Sequence, residues 1–303
     1  MKLLIRVMSL LLVMMAGHAS LQAQQQALFT QYMFNGLAIN PAYAGSHESM
    51  SITALARKQW LGIDGAPGTQ TFAVHTPIPN EKIGLGLLLT HDHIGPVHQY
   101  SLKFAYAYRI PVGPGKLSMG LQGGVVNYNS KFSELYLGPN VQDPSFSADV
   151  NQFMYDFGTG LYYATDKFYL GLSVPQMLAI KTDDNFNPSK HYFLNTGYLF
   201  DLNRSLKLKP NVLFKAVQGA PLEVDLNTNL LIRDVLWVGA SYRSFRTISA
   251  LTELQLTDQL RFGYAYDFPA TSDLGSATAG SHEIMLNYRF TFYKSNFSTP
   301  RNF

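Results

Sequence analysis

The chain contains no cysteine. That removes disulfides, thiolate catalysis and cysteine-held metals together. Charge is scarce as well: Asp, Glu, Lys and Arg make up 14% of residues, and the net charge is only +3. With no dense basic run, there is no case for a nucleic-acid partner. Long hydrophobic runs are missing beyond the first residues. No later stretch approaches the ~18 apolar residues of a membrane-spanning helix. There is no Gly-x-Ser-x-Gly elbow, and nothing places a Ser beside a His. The expectation is a non-catalytic protein without a cofactor. His91, Asp92, His93 and His98 are the one group that hints at a metal. They fall at a strand end next to Gly95-Pro96 without a supporting carboxylate cluster, so no metal site is expected.

What is present is aromatic and alternating. Phe, Tyr and Trp reach 13%, Gly is frequent with 24 copies, and mean hydropathy is near zero at −0.02. From 259 to 268, Leu260, Phe262, Tyr264, Tyr266 and Phe268 alternate with Gln259, Arg261, Gly263, Ala265 and Asp267. From 283 to 292, Ile284, Leu286, Tyr288, Phe290 and Phe292 alternate with Glu283, Met285, Asn287, Arg289 and Thr291. Strand side chains point to opposite faces with period two. Each run therefore has a greasy face and a polar one. A soluble sandwich would bury the greasy faces, whereas a transmembrane barrel turns them to lipid and the polar faces to its lumen. Runs near the ~9–11 residues of a tilted membrane strand favour the barrel.

The N-terminus reads as an export signal over residues 1–23. Lys2 and Arg6 precede an apolar stretch from Val7 to Ala16, and small residues lead to a cleavage after Ala23. Residues 24–47 do not alternate and are too apolar to float free. They are expected to form a plug, with Tyr32, Phe34 and Tyr43 buried inside or across the periplasmic mouth and Asn40-Pro41 turning the chain toward the first strand. Residues 48–303 are assigned to the barrel. About fourteen strands are expected, over 48–60, 68–78, 82–91, 97–110, 116–129, 153–165, 167–174, 190–201, 205–217, 222–232, 234–245, 247–256, 258–268 and 281–293. The fold class is therefore all-β, a transmembrane antiparallel barrel with an N-terminal lumenal plug, in the outer membrane.

The longest irregular stretches are 131–152, 181–190 and 270–280. If both termini are periplasmic, all three fall outside, where barrels carry their longer loops. Asp143, Phe146, Phe186 and Asn187 within them mix aromatic and polar character, as recognition surfaces do. Glu223 and Asp225 share a face beside Lys207, Lys209 and Lys215, which suits a cross-strand charge ladder filling a lumen. Arg57 and Trp60 close the first strand, either as an interfacial anchor or as contacts to the N-terminal segment or a partner. Gly84 and Gly86 lie on the inward face of the third strand. They serve either barrel curvature or the close approach of another backbone.

Three stretches carry a resemblance: Phe29–Asn35 (FTQYMFN) with Asn40–Ser46 (NPAYAGS); Arg57–Gly62 (RKQWLG) with Pro67–Thr71 (PGTQT); and Gly280–Phe290 (GSHEIMLNYRF). Together they resemble the PorP/SprF family of outer-membrane proteins of type IX secretion and gliding systems in Bacteroidetes. The likeness runs from about Phe29 to Phe290. It implies a barrel similar to the fatty-acid-transporter type of fourteen strands. It implies partners among type IX secretion components and secreted cargo or its C-terminal signal domain, besides outer-membrane lipid. On this reading Tyr32, Phe34, Asn35, Asn40, Pro41, Tyr43, Arg57 and Trp60 are the candidate plug and partner contacts. A channel for a hydrophobic or small solute is the alternative.

Overall fold

A computed structural model describes residues 29–47, 49–78, 82–134, 148–181, 189–244, 247–269 and 277–290. The export signal, loop residues Asp143, Phe146, Phe186 and Asn187, and the tail 293–303 lie outside them. The strands are β1 (Met50–Lys58), β2 (Gly68–Pro77), β3 (Ile83–Ile94), β4 (Val97–Val112), β5 (Gly115–Ser130), β6 (Val150–Ala164) and β7 (Phe168–Lys181). They continue with β8 (His191–Tyr198, resuming as Phe200–Asn203), β9 (Leu206–Val217), β10 (Glu223–Ile232), β11 (Leu236–Arg243), β12 (Thr247–Gln255), β13 (Leu260–Pro269) and β14 (Ser281–Phe290).

Every strand pairs antiparallel with its sequence neighbours, and β14 pairs with β1 from Phe290↔Met50 to His282↔Lys58. The sheet is therefore a closed up-and-down barrel of fourteen strands. Closure leaves no edge for stray pairing. In hydrocarbon it also satisfies the backbone groups that open strands would leave bare.

The faces are inverted relative to a soluble protein. Leu286 is 47% exposed while its neighbour Asn287 is 4% exposed. Phe104, Leu121, Tyr155, Leu172 and Ile248 are also exposed. Lys103, Asp156, Lys209, Lys215, Asp225, Glu253 and Glu283 are buried within the ring. Water-facing apolar bands of this extent are untenable, and lipid-facing ones are required.

The fourteen expected strands are all present, and their differences from expectation are local. The seventh strand was expected over 167–174. It runs on to Lys181 instead. The register jumps from Thr159↔Val174 to Phe157↔Leu178, which bulges Pro175 out of the pairing. The Pro175 carbonyl then accepts from the side-chain amide of Gln122 (2.7 Å).

Connections at one end are short: 78–82, 113–114, 165–167, 204–205, 233–235 and 256–259. Those at the other end include the long stretches 59–67, 131–149, 182–190 and 270–280.

Candidate functional site

Phe29–His47 runs inside the ring as three single 3-10 turns, Tyr32–Phe34, Gly36–Ala38 and Pro41–Tyr43. Short turns suit this sequence, since Gly36, Asn40 and Pro41 interrupt any longer helix. Asn40 caps the third turn. Its side-chain oxygen accepts from the Ala42 N–H (2.9 Å), and Pro41 occupies the first position, where no donor is needed. The Asn40 amide also donates to the Leu161 carbonyl of β6 (2.9 Å). One side chain thus shapes the turn and ties it to the wall.

Near the long-loop end the segment is held by charge. Arg57 donates to Asp267 at 2.5 Å, to Glu283 at 3.1 Å and to Thr30 Oγ1 at 3.0 Å. Thr30 Oγ1 donates onward to Asp267 (2.7 Å). Both Glu283 oxygens accept backbone N–H groups of the segment, from Thr30 (2.9 Å) and Gln31 (2.8 Å). A buried carboxylate pair is costly unless every oxygen is matched. Here one guanidinium, one hydroxyl and two amides match it. A second pair stands beside it, with Arg243 on Asp225 (2.9 Å).

Midway, Tyr32 is fully buried among Met33, Ile39, Phe193, Leu213, Leu251 and Ala265. Phe34 packs 6.2 Å from Trp237. The Lys209 ammonium stands 6.0, 5.7 and 5.8 Å from the rings of Phe34, Tyr169 and Trp237. At these distances each ring face attracts the cation. Ser173 Oγ donates to the Ile39 carbonyl (2.6 Å).

Near the short-turn end, Tyr43 meets Tyr162 edge-on at 5.3 Å and His75 at 5.4 Å, and its hydroxyl bonds His47 Nε2 (3.2 Å). Arg109 donates to the Gly45 carbonyl. The wall makes room by omitting side chains. A Cβ on Gly84 would stand 2.0 Å from the Ala44 carbonyl oxygen, and one on Gly120 would stand 2.2 Å from the Ala42 nitrogen. The segment thus lies along the lumen from one end to the other and reaches wall residues on every side.

Of the expected contact residues, Tyr32, Phe34, Asn35, Asn40, Pro41, Tyr43 and Arg57 come together in the lumen. Asn35 is buried between the first two turns, and its carbonyl accepts from Ala38 (3.2 Å). Trp60 is not brought to them. It lies in the β1–β2 loop with φ 46°, its N–H donating to Ser281 Oγ (3.2 Å). The lysine ladder is only partly formed. Lys215 pairs with Glu223 (3.6 Å), Lys207 with Asp234 at the rim (2.6 Å), and Lys209 with aromatic rings. Thr30, Gln31, Lys209, Asp267 and Glu283 were not anticipated as contacts of the segment. Alternation does mark the strand residues among them as inward-facing. Among the described residues no His, Cys, Asp and Glu group is arranged to hold a metal.

A search of curated proteins finds no match. Among solved structures the chain is similar to the CymD monoaromatic hydrocarbon channel, with TM-score 0.50 and 12% identity over 88% of this chain and 94% of that one. It is also similar to Omp33 of Acinetobacter baumannii (TM-score 0.45, 12% identity, 80% of this chain and 98% of that one). These likenesses concern the fold of outer-membrane barrels. The family model described as "Type IX secretion system membrane protein PorP/SprF" matches residues 21–288. With a closed barrel, a lipid-facing apolar wall and a match over nearly all of the chain, the protein belongs to the PorP/SprF family of type IX secretion system membrane proteins.

Proposed function

We propose that this barrel is a non-catalytic holding component of the type IX apparatus. In this reading residues 24–47 are a fixed plug, freed by cleavage of residues 1–23. The long-loop end faces outward and retains secreted cargo by protein–protein contact. One observation carries the reading. The lumen, which a transporter would keep passable, is crossed by a segment tied to the wall by the Arg57–Thr30–Asp267–Glu283 network. That network has no redundancy to spare for routine opening, because removing one partner leaves a buried charge unmatched.

The experiment has two arms. Purified barrel in liposomes should pass neither ions nor small sugars, and deletion of residues 24–47 should open it. In cells, shortening the β5–β6 connection should release type IX cargo into the medium while the barrel still folds and inserts. Strong flux through the intact protein, with cargo retention unchanged, would favour a solute channel instead.

A further inference from the structure

The barrel wall carries one feature that lumen and loops leave unexplained. On the outer surface of β2–β6 a depression of about 400 Å³ is lined by Phe72, Leu89, Tyr100, Leu102, Val125 and Phe153. That volume lies in the range of small-ligand sites. The strand register shows how it forms. Phe72, Leu89, Leu102, Val125 and Tyr155 are partners in one row across five strands. The middle three are aliphatic and the rims aromatic; Leu102 and Val125 are half-buried, so the row dips between Leu89 and Tyr155.

The next row toward the long-loop end reads Gln70, His91, Tyr100, Asn127 and Phe153, and the one after it Gly68, His93, His98, Asn129 and Asn151. Hydrocarbon side chains thus give way to amides and imidazoles over two rows. That is the chemistry of an acyl chain meeting its headgroup. The three imidazoles form one triangular cluster of near-parallel rings. His91 lies 5.4 Å from His98 and 5.5 Å from His93, 4.4 Å from the Tyr100 ring, and His91 Nε2 is 3.1 Å from His98 Nδ1. The hydrogen bond between His91 and His98 takes up one nitrogen of each ring, which disfavours a metal. The hydrogen-bonded His91–His98 pair still leaves one N–H free, and His93 adds another, at the groove's head. No Asp or Glu lines the groove. The carboxylate of Asp92 is engaged by the Thr69 hydroxyl at 2.5 Å.

We propose that this groove binds one membrane lipid whose headgroup ends in a bare phosphate monoester. An acyl chain lies over Leu89, Leu102 and Val125, and the phosphate accepts from the free N–H groups of the His91–His98 pair and of His93. Imidazole donors suit a phosphate, since hydrogen bonds to ionised acceptors are the stronger kind.

The test is native mass spectrometry of the intact barrel in mild detergent, titrated with phosphatidic acid or phosphatidylcholine. The wild type should retain one phosphatidic acid with at least about tenfold preference. The triple variant H91A/H93A/H98A should lose the preference while keeping weak binding of either lipid. Val125→Phe should fill the groove and remove retention of both. Leu102→Phe serves the same purpose should Val125→Phe fail to fold, as judged by heat-modifiable gel mobility. The proposal is overturned if the wild type shows no preference. It is equally overturned if the triple variant keeps the preference, or if the filled groove still retains lipid.

Discussion

Gly84 lies directly against the Ala44 carbonyl: a Cβ added at Gly84 would sit 2.0 Å from that oxygen. The wall of β3 and the inner segment are therefore fitted to each other at backbone level. Neither an alanine nor anything larger fits unless one of the two moves.

Gly84→Val should displace the lower part of the segment while leaving the ring closed, because strand pairing does not depend on that side chain. The expected result is new protease cleavage within residues 29–47, at unchanged heat-modifiable mobility of the barrel. Gly113→Ala serves as the control, since nothing lies within 4 Å of its Cβ direction, though its φ of 55° adds local turn strain. Equal protease resistance in Gly84→Val and wild type would mean that the fit is looser than drawn.

Arg57→Met should cost about 3–5 kcal/mol, because Asp267 and Glu283 would be left facing each other in the lumen without their cation. The double change R57M/E283Q should recover part of that loss. Denaturant titration of the folded barrel measures both. Additive losses in the double variant would show that the pair is not coupled.

Asn40→Ala removes a helix-turn cap and a tie to Leu161 together. A cap alone is worth about 1 kcal/mol and a buried hydrogen bond about as much again. A loss near 2 kcal/mol in segment docking, read by hydrogen exchange at 40–45, is expected. Asn40→Asp should keep the cap acceptor but set a buried carboxylate oxygen against the Leu161 carbonyl, so it should cost at least as much as Asn40→Ala.

Single cysteines at 286 and 287 should respond oppositely to labels in membranes. Leu286→Cys should react with a lipid-soluble maleimide, and Asn287→Cys should resist it, because the first faces outward and the second is buried against Ser51 and Thr53. The reverse pattern would invert the register of β14.

The wall was legible in the sequence, and the interior was not. Period-two alternation is local, so runs such as Leu260–Phe268 disclose both strand and face without knowledge of any neighbour. The stretch of β7 beyond Val174 was missed because its pairing is not local: a bulge against β6 absorbs Pro175. The burial of Tyr32 and Tyr43 followed from apolar content, but their partners did not. Arg57 and Glu283 are 226 positions apart, and only closure of β14 on β1 makes them neighbours. The glycines fall between these cases. Alternation placed Gly84 on the inner face, while the backbone that needs its space belongs to a segment without periodicity.

Thr30 and Glu283 are separated by 253 positions, so the acceptors that receive the head of the segment sit on the last strand to be made. Asp267 sits on the strand before it. Until β13 and β14 are in place, Thr30, Gln31 and Arg57 have no carboxylates to engage. The head of the segment before β1 can lock only after β13 and β14 have joined the ring. A barrel missing its final hairpin would therefore leave Thr30 and Gln31 unheld, while Ile39, Asn40 and Gly45 keep their ties to β7, β6 and β4. Docking of the head of this segment thus follows closure of the ring and does not precede it.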